Sequence, residues 1–233
     1  SRRLTDLIGG AARFVEIKTF HSYCFDLLGK IGTVEDSEHV VKDAVEAISA
    51  GKVESSQITK SILVIDEAQD MSGDEFALVE KLIMNNEDMR VVAVGDDDQN
   101  IYEFRGSDSK YLKSLISAYG ATVYNMIDNF RSSAEVVSAA NAFIREVPNR
   151  LKAVPIKAVR QFHGKVNAVF HRSLNYEQAI VNDIVSDRYD GSTCVLTFTN
   201  EDALVMTALL NHNGYKAHLI QSKDGFNLQD LAE

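Results

Sequence analysis

The chain has 233 residues, enough for one large domain or two small ones. Hydrophobic residues make up 45% and charged residues 25%, an ordinary globular balance, and no apolar run is long enough to span a bilayer. Lys and Arg total 24 against 34 Asp and Glu, a formal charge of -10, which excludes a protein that coats nucleic acid by bulk electrostatics but leaves room for a local groove.

In chain order, a strand-like stretch at 14–17 leads into a predicted helix over 20–28, where Cys24 reads as small core packing. Residues 34–60 are more polar and read as a connecting insertion with one helix over 40–50. An apolar strand at 61–65 precedes a helix over 74–84, whose leading Asp74 and Glu75 suit the positive end of a helix dipole. A second strand at 90–94 is followed by a helix over 109–119. Ser133 can cap a helix over 133–145, and both prolines, Pro148 and Pro155, fall in an irregular stretch at 147–159. Strands at 165–170, 193–198 and 216–220 flank helices over 176–188 and 200–211. This alternation predicts an α/β fold with parallel sheet, and the unbroken Ile/Val/Leu strands predict burial on both faces. The main boundary is expected near Asp128. Two distant cysteines, Cys24 and Cys194, make neither a disulfide framework nor a zinc site; with no apolar signal core after Ser1, a cytoplasmic setting and a partial or processed chain are expected.

Four segments carry chemistry. In Lys18-Thr19-Phe20-His21-Ser22-Tyr23, Phe20 and His21 are placed to touch a nucleic-acid strand, or else Phe20 is core and Thr19 a cap. In Ile62-Leu63-Val64-Ile65-Asp66-Glu67-Ala68-Gln69-Asp70, an apolar strand runs straight into two acids, and ligands of open α/β sheets sit at strand carboxyl ends. One acid can hold Mg²⁺ through water while the other orients and deprotonates an attacking water. The strand before Gly95-Asp96-Asp97-Asp98-Gln99 ends likewise. Three consecutive acids repel one another, and Gln99 offers both donor and acceptor to a terminal phosphate. Tyr102, Phe104 and Arg105 follow as an aromatic and basic cluster suited to stacking on unpaired bases. In Asn129-Phe130-Arg131-Ser132-Ser133, the arginine can reach across a cleft to a transferring phosphoryl group.

Taken in order, TFHS, ILVIDEAQD, VGDDDQNIYEFRG and NFRSS resemble the UvrD/Rep family of superfamily 1 DNA helicases, and residues 194–220 resemble the family's later strand–helix–strand unit. The resemblance implies two RecA-like parallel-sheet domains of the P-loop NTPase type, here both incomplete: 1–127 and 128–233. It implies ATP and Mg²⁺ as cofactors and single-stranded and duplex DNA as partners, with ATP hydrolysis driving movement, mostly 3′ to 5′. Carried over by position, Asp66 is similar to the Mg²⁺ carboxylate and Glu67 to the catalytic base. Gln99 matches the γ-phosphate contact, Arg131 the arginine finger, and Gln69, Asp70 and Asp96 coupling positions. Phe20, His21, Tyr102, Phe104 and Arg105 match the DNA path, with Phe104 where many members have Trp. No Gly-x-x-x-x-Gly-Lys-Ser/Thr loop occurs, so the chain reads as an interior piece expected to lack steady ATPase activity. Two other readings stay open: a non-catalytic helicase-like binding subunit, and a different phosphate-loop ATPase. Thr197-Phe198-Thr199-Asn200 looks like an early family motif but, following NFRSS, is expected to be a strand-to-helix turn.

Overall fold

The computed structural model describes residues 9–29, 39–100, 106, 108–172, 175–187 and 191–220. Tyr102, Phe104 and Arg105 lie outside the described residues. The chain divides into two units, Ser1–Val166 and Asn167–Glu233, and the boundary expected near Asp128 falls inside the first.

In the first unit, α1 spans Phe20–Leu28, capped by the Thr19 hydroxyl, which accepts from the Ser22 amide at 3.2 Å. It ends at Gly29, whose left-handed φ of 62° closes the last turn. Helix α2 (Val40–Ser49) buries Val40, Val41, Ala44 and Ile48, and the short α3 (Ser55–Ile58) buries Ile58. These side chains share one core cluster with Cys24, Leu27, Leu78 and Leu82. The stretch expected to be a connecting insertion is therefore a wall of the core. Its average polarity hides a helical repeat at 40, 41, 44 and 48, which buries one face beneath the solvated Lys42 and Glu46 side. Burial also pushes the Cys24 thiol up to about 12, the mark of an inert packing residue.

Strand β1 (Ile62–Ile65) pairs in parallel with β2 (Arg90–Ala93), in register from Ile62↔Arg90 to Ile65↔Ala93. Their crossover is α4 (Gly73–Met84), which opens on a capping box: Ser72 Oγ accepts from the Glu75 amide and Glu75 Oε2 accepts from the Ser72 amide. Ile65, Ala68, Met71, Phe76 and Val79 form a second cluster with Leu115 of α5 (Lys110–Ser117). Leu63, Val91 and Ala93 pack on the same side. Ile62, Val64, Val92 and Val94 alternate to the opposite side and are exposed. Burial of both sheet faces is thus not met among the described residues, because helices cover only the side facing α4 and α5.

Further on, β3 (Asp128–Asn129) and β4 (Lys157–Ala158) form a second parallel pair, with α6 (Ala134–Ile144) between them. Ser133 caps α6 by accepting from the Val136 amide, as its sequence position predicts. Asn141 exchanges two hydrogen bonds with Ile156 and pins the stretch before β4 to this helix.

In the second unit, α7 (Tyr176–Asp187) and α8 (Asn200–His212) pack through Val181, Met206 and Leu210. Thr199 caps α8, consistent with a turn into a helix at 197–203. The predicted strands at 165–170, 193–198 and 216–220 carry no strand pairing among the described residues. Apolar β-propensity alone does not make a strand; its backbone needs a neighbouring ladder, and Phe170, Leu196 and Ile220 stand exposed. No helix among the described residues is long and apolar enough to cross a membrane.

Candidate functional site

The carboxyl ends of β1 and β2 are held side by side. The Val94 amide donates to the Ile65 carbonyl at 2.8 Å, and the Ala68 amide donates to the Val94 carbonyl at 2.9 Å. This extends the ladder past both strands and places the loops 66–70 and 95–99 against each other. Asp66 is exposed, with one oxygen accepting from the Glu67 amide at 3.1 Å. Glu67 sits at φ 51° and ψ 44°, the left-handed region. A side chain other than glycine held there costs on the order of 1–3 kcal/mol and persists only where its surroundings over-determine it.

Gln69 is what determines it. This side chain is 2% exposed. Its Nε2 donates to Glu67 Oε2 at 2.8 Å, and its Oε1 accepts from the Asp96 amide at 3.0 Å. One buried amide therefore joins the two loops. Asn100 adds a bond from Nδ2 to the Gln69 carbonyl at 3.1 Å. Gly95 is required by the same approach: a Cβ there would lie 2.8 Å from Gln69 Oε1 and 3.1 Å from the Gln69 backbone nitrogen. Beyond it, Asp96 Oδ2 accepts from Gln99 Nε2 at 2.9 Å. Glu67, Gln69, Asp96 and Gln99 thus form one continuous hydrogen-bonded chain, with Asp66 at its end.

The acidic run 96–98 is matched residue by residue by 150–152. Arg150 donates to both Asp98 oxygens, from Nε at 2.6 Å and from Nη2 at 2.5 Å. The Leu151 amide donates to Asp97 at 2.6 Å, and Lys152 Nζ to Asp96 at 3.1 Å. Burial alone would raise the Asp96 carboxyl; hydrogen bonds from Gln99 and Lys152, the Lys152 charge and the Asp98 amide outweigh it and hold the group below its usual value. The three carboxylates approach within 4.8 Å of one another, close enough to share a cation. Arg150 and Lys152 already supply positive charge to this group.

Arg150 and Lys152 were not singled out from the sequence, and of the three acids only Asp96 was given a role, as a coupling position.

The remaining predicted residues lie around this chain. Asp70 Oδ1 is buried and has no hydrogen-bond partner among the described residues. Desolvation, then the charges of Glu67 and Glu75, raise its carboxyl above the ordinary value. His21 lies 4.0 Å from Glu75 and is exposed, whereas Phe20 is half-buried against both core clusters. Arg131 is exposed; Asn129 Oδ1 accepts from its amide at 3.0 Å and from the Ser132 amide at 2.8 Å, shaping the turn into α6. No ion pair joins the Arg131 guanidinium to the Glu67–Gln99 group among the described residues.

Residues 38–120 match the UvrD/REP helicase N-terminal domain, a segment that includes both strand-end loops. YjcD of Bacillus subtilis (strain 168) is 29% identical over 144 residues, covering 60% of this chain and 18% of YjcD. DNA helicase II of Escherichia coli (strain K12) is 32% identical over 90 residues, 38% of this chain and 12% of that protein. The ATP-dependent DNA helicase Rep of the same organism is 36% identical over 88 residues, 37% of this chain and 13% of Rep. These matches each span less than a fifth of the relative's length. Residues 38–120, with the two strand-end loops that fall within them, are thus similar to the N-terminal domain of UvrD/Rep helicases.

Proposed function

We propose that this chain is part of an ATP-driven motor that moves along single-stranded DNA, mostly 3′ to 5′, and opens duplexes in the cytoplasm. The observation that carries the reading is the hydrogen-bonded chain from Glu67 through Gln69 and Asp96 to Gln99. It links a carboxylate suited to activating water with an amide suited to a terminal phosphate, both at strand carboxyl ends. Glu67 orients the water and takes its proton. Gln99 contacts the γ-phosphate, and Gln69, Asp70 and Asp96 pass that contact to the neighbouring loop. Asp66 would hold Mg²⁺ through water; when bound, the ion neutralises charge on the transferring phosphate. The exposed Arg131 stabilises the same charge from the NFRSS turn. Phe20, His21, Tyr102, Phe104 and Arg105 line the DNA strand. Residues 1–127 and 128–233 are then parts of two RecA-like domains.

The 233 residues contain no Gly-x-x-x-x-Gly-Lys-Ser/Thr loop, so the chain by itself shows no steady ATPase with single-stranded DNA in a phosphate-release assay. Where the gene sequence on either side of the chain encodes such a loop, the polypeptide that includes it is expected to hydrolyse ATP. In that protein Glu67→Gln abolishes hydrolysis and leaves ATP affinity within a few-fold. Hydrolysis that survives the substitution overturns the base assignment. A gene product without the loop, binding DNA without turnover, supports a non-catalytic helicase-like subunit instead.

A further inference from the structure

The segment 149–152 is fixed at four consecutive residues. Lys113 Nζ donates to the Asn149 carbonyl at 2.9 Å, and Asn149 itself turns at a left-handed φ of 59°. The next three residues then meet Asp98, Asp97 and Asp96 in opposite chain directions. The Arg150–Asp98 pair is the most enclosed, with side chains 15% and 10% exposed, and its fork geometry fixes two atoms at once. Lys152 and Asp96 are 18% and 26% exposed. The same Asp96 oxygen that accepts from Lys152 also accepts from Gln99 Nε2. Gln99 and Lys152 thus share one acceptor oxygen.

We propose that Arg150 and Lys152 are positioning residues for Gln99, acting through Asp98 and Asp96. Arg150 holds the short 97–99 turn by its far end. Lys152 holds the Asp96 carboxylate in the orientation that accepts the Gln99 amide. The cations also cancel repulsion among three adjacent acids, without which the turn would open. The purpose assigned to Gln99 rests on the proposed phosphate contact; the clamp itself does not, and its test needs no nucleotide.

The test is read on this chain by NMR, following the Gln99 side-chain amide, identified by its disappearance in Gln99→Glu. Lys152→Met keeps the alkyl stem and removes the charge. It shifts the Gln99 Nε2 resonances and speeds their exchange with solvent by roughly threefold to tenfold, the loss of one net hydrogen bond. Lys152→Arg restores both signatures. Arg150→Lys, which loses the fork, gives an intermediate shift. If Lys152→Met unfolds the chain, Lys152→Gln removes the same charge with a polar tip and must move the Gln99 amide alike. Gln99 resonances unchanged in a folded Lys152→Met or Lys152→Gln chain overturn the proposal. Should the clamp signatures appear while Gln99→Glu leaves ATP hydrolysis of the longer protein intact, the clamp stands and the phosphate contact fails.

Discussion

The buried Gln69 amide donates to the Glu67 carboxylate at 2.8 Å while its oxygen accepts from the Asp96 amide at 3.0 Å. Each end of one side chain thus satisfies a group on a different loop. Gln69→Ala leaves the Asp96 amide without its acceptor and Glu67 without its donor. The expected loss is about 1–3 kcal/mol of stability. Urea denaturation of the chain measures it, and a midpoint unchanged from the unsubstituted protein would falsify the bridging role.

Gly95→Ala tests the same junction from the backbone. The added methyl meets Gln69 Oε1 at 2.8 Å, the Gln69 nitrogen at 3.1 Å and Leu112 Cδ2 at 3.2 Å. Two of these three atoms belong to side chains, but the backbone nitrogen is anchored beside the extended ladder. Overpacking of this kind costs about 1–3 kcal/mol. A thermal scan should show a lower midpoint for Gly95→Ala, and a higher one would mean that the loops separate freely.

Asp70 gives a pH-dependent expectation. Its folded carboxyl is raised above its ordinary value of 3.8 by desolvation and by the charges of Glu67 and Glu75. Ionising it therefore opposes folding at any pH above both values, and the penalty fades as pH falls through the raised value toward 3.8 and both states take up the proton. Asp70→Asn should raise the denaturation midpoint near neutral pH, with the gain shrinking under acid. A gain that persists unchanged at low pH would come from something other than charge.

Tyr102→Ala and Phe104→Ala address the proposed DNA path. Each should weaken binding of single-stranded DNA by about 1–3 kcal/mol per stacked base. Fluorescence anisotropy with a labelled oligonucleotide reads the shift, and undiminished affinity in both variants would return these rings to the core.

The helices were readable in sequence because their signals are local. A cap such as Ser133, an acidic first turn such as Asp74-Glu75 and an apolar stripe each need only a few neighbours in the chain. The paired acids after β1 were readable for the same reason: an apolar run ending in Asp66-Glu67 needs no distant partner to be noticed. The 40–50 helix was seen, but its place in the core was not. Mean polarity over 34–60 conceals a buried face that only contact with Cys24 and Leu78 reveals.

From the residues alone came the α/β alternation, the two strand ends that carry chemistry and the family resemblance. Tertiary structure decided which polar groups share a bond. That Gln69 spans Glu67 and Asp96, and that Arg150 and Lys152 answer Asp98 and Asp96, depends on pairs 27 and 52–56 positions apart. No local propensity encodes such pairs; they form because burial makes an unpaired amide or carboxylate costly, and the fold brings a partner within reach. The 193–198 and 216–220 stretches, which pair with no strand among the described residues, show the converse, since strand-like composition becomes a strand only where another backbone lies alongside.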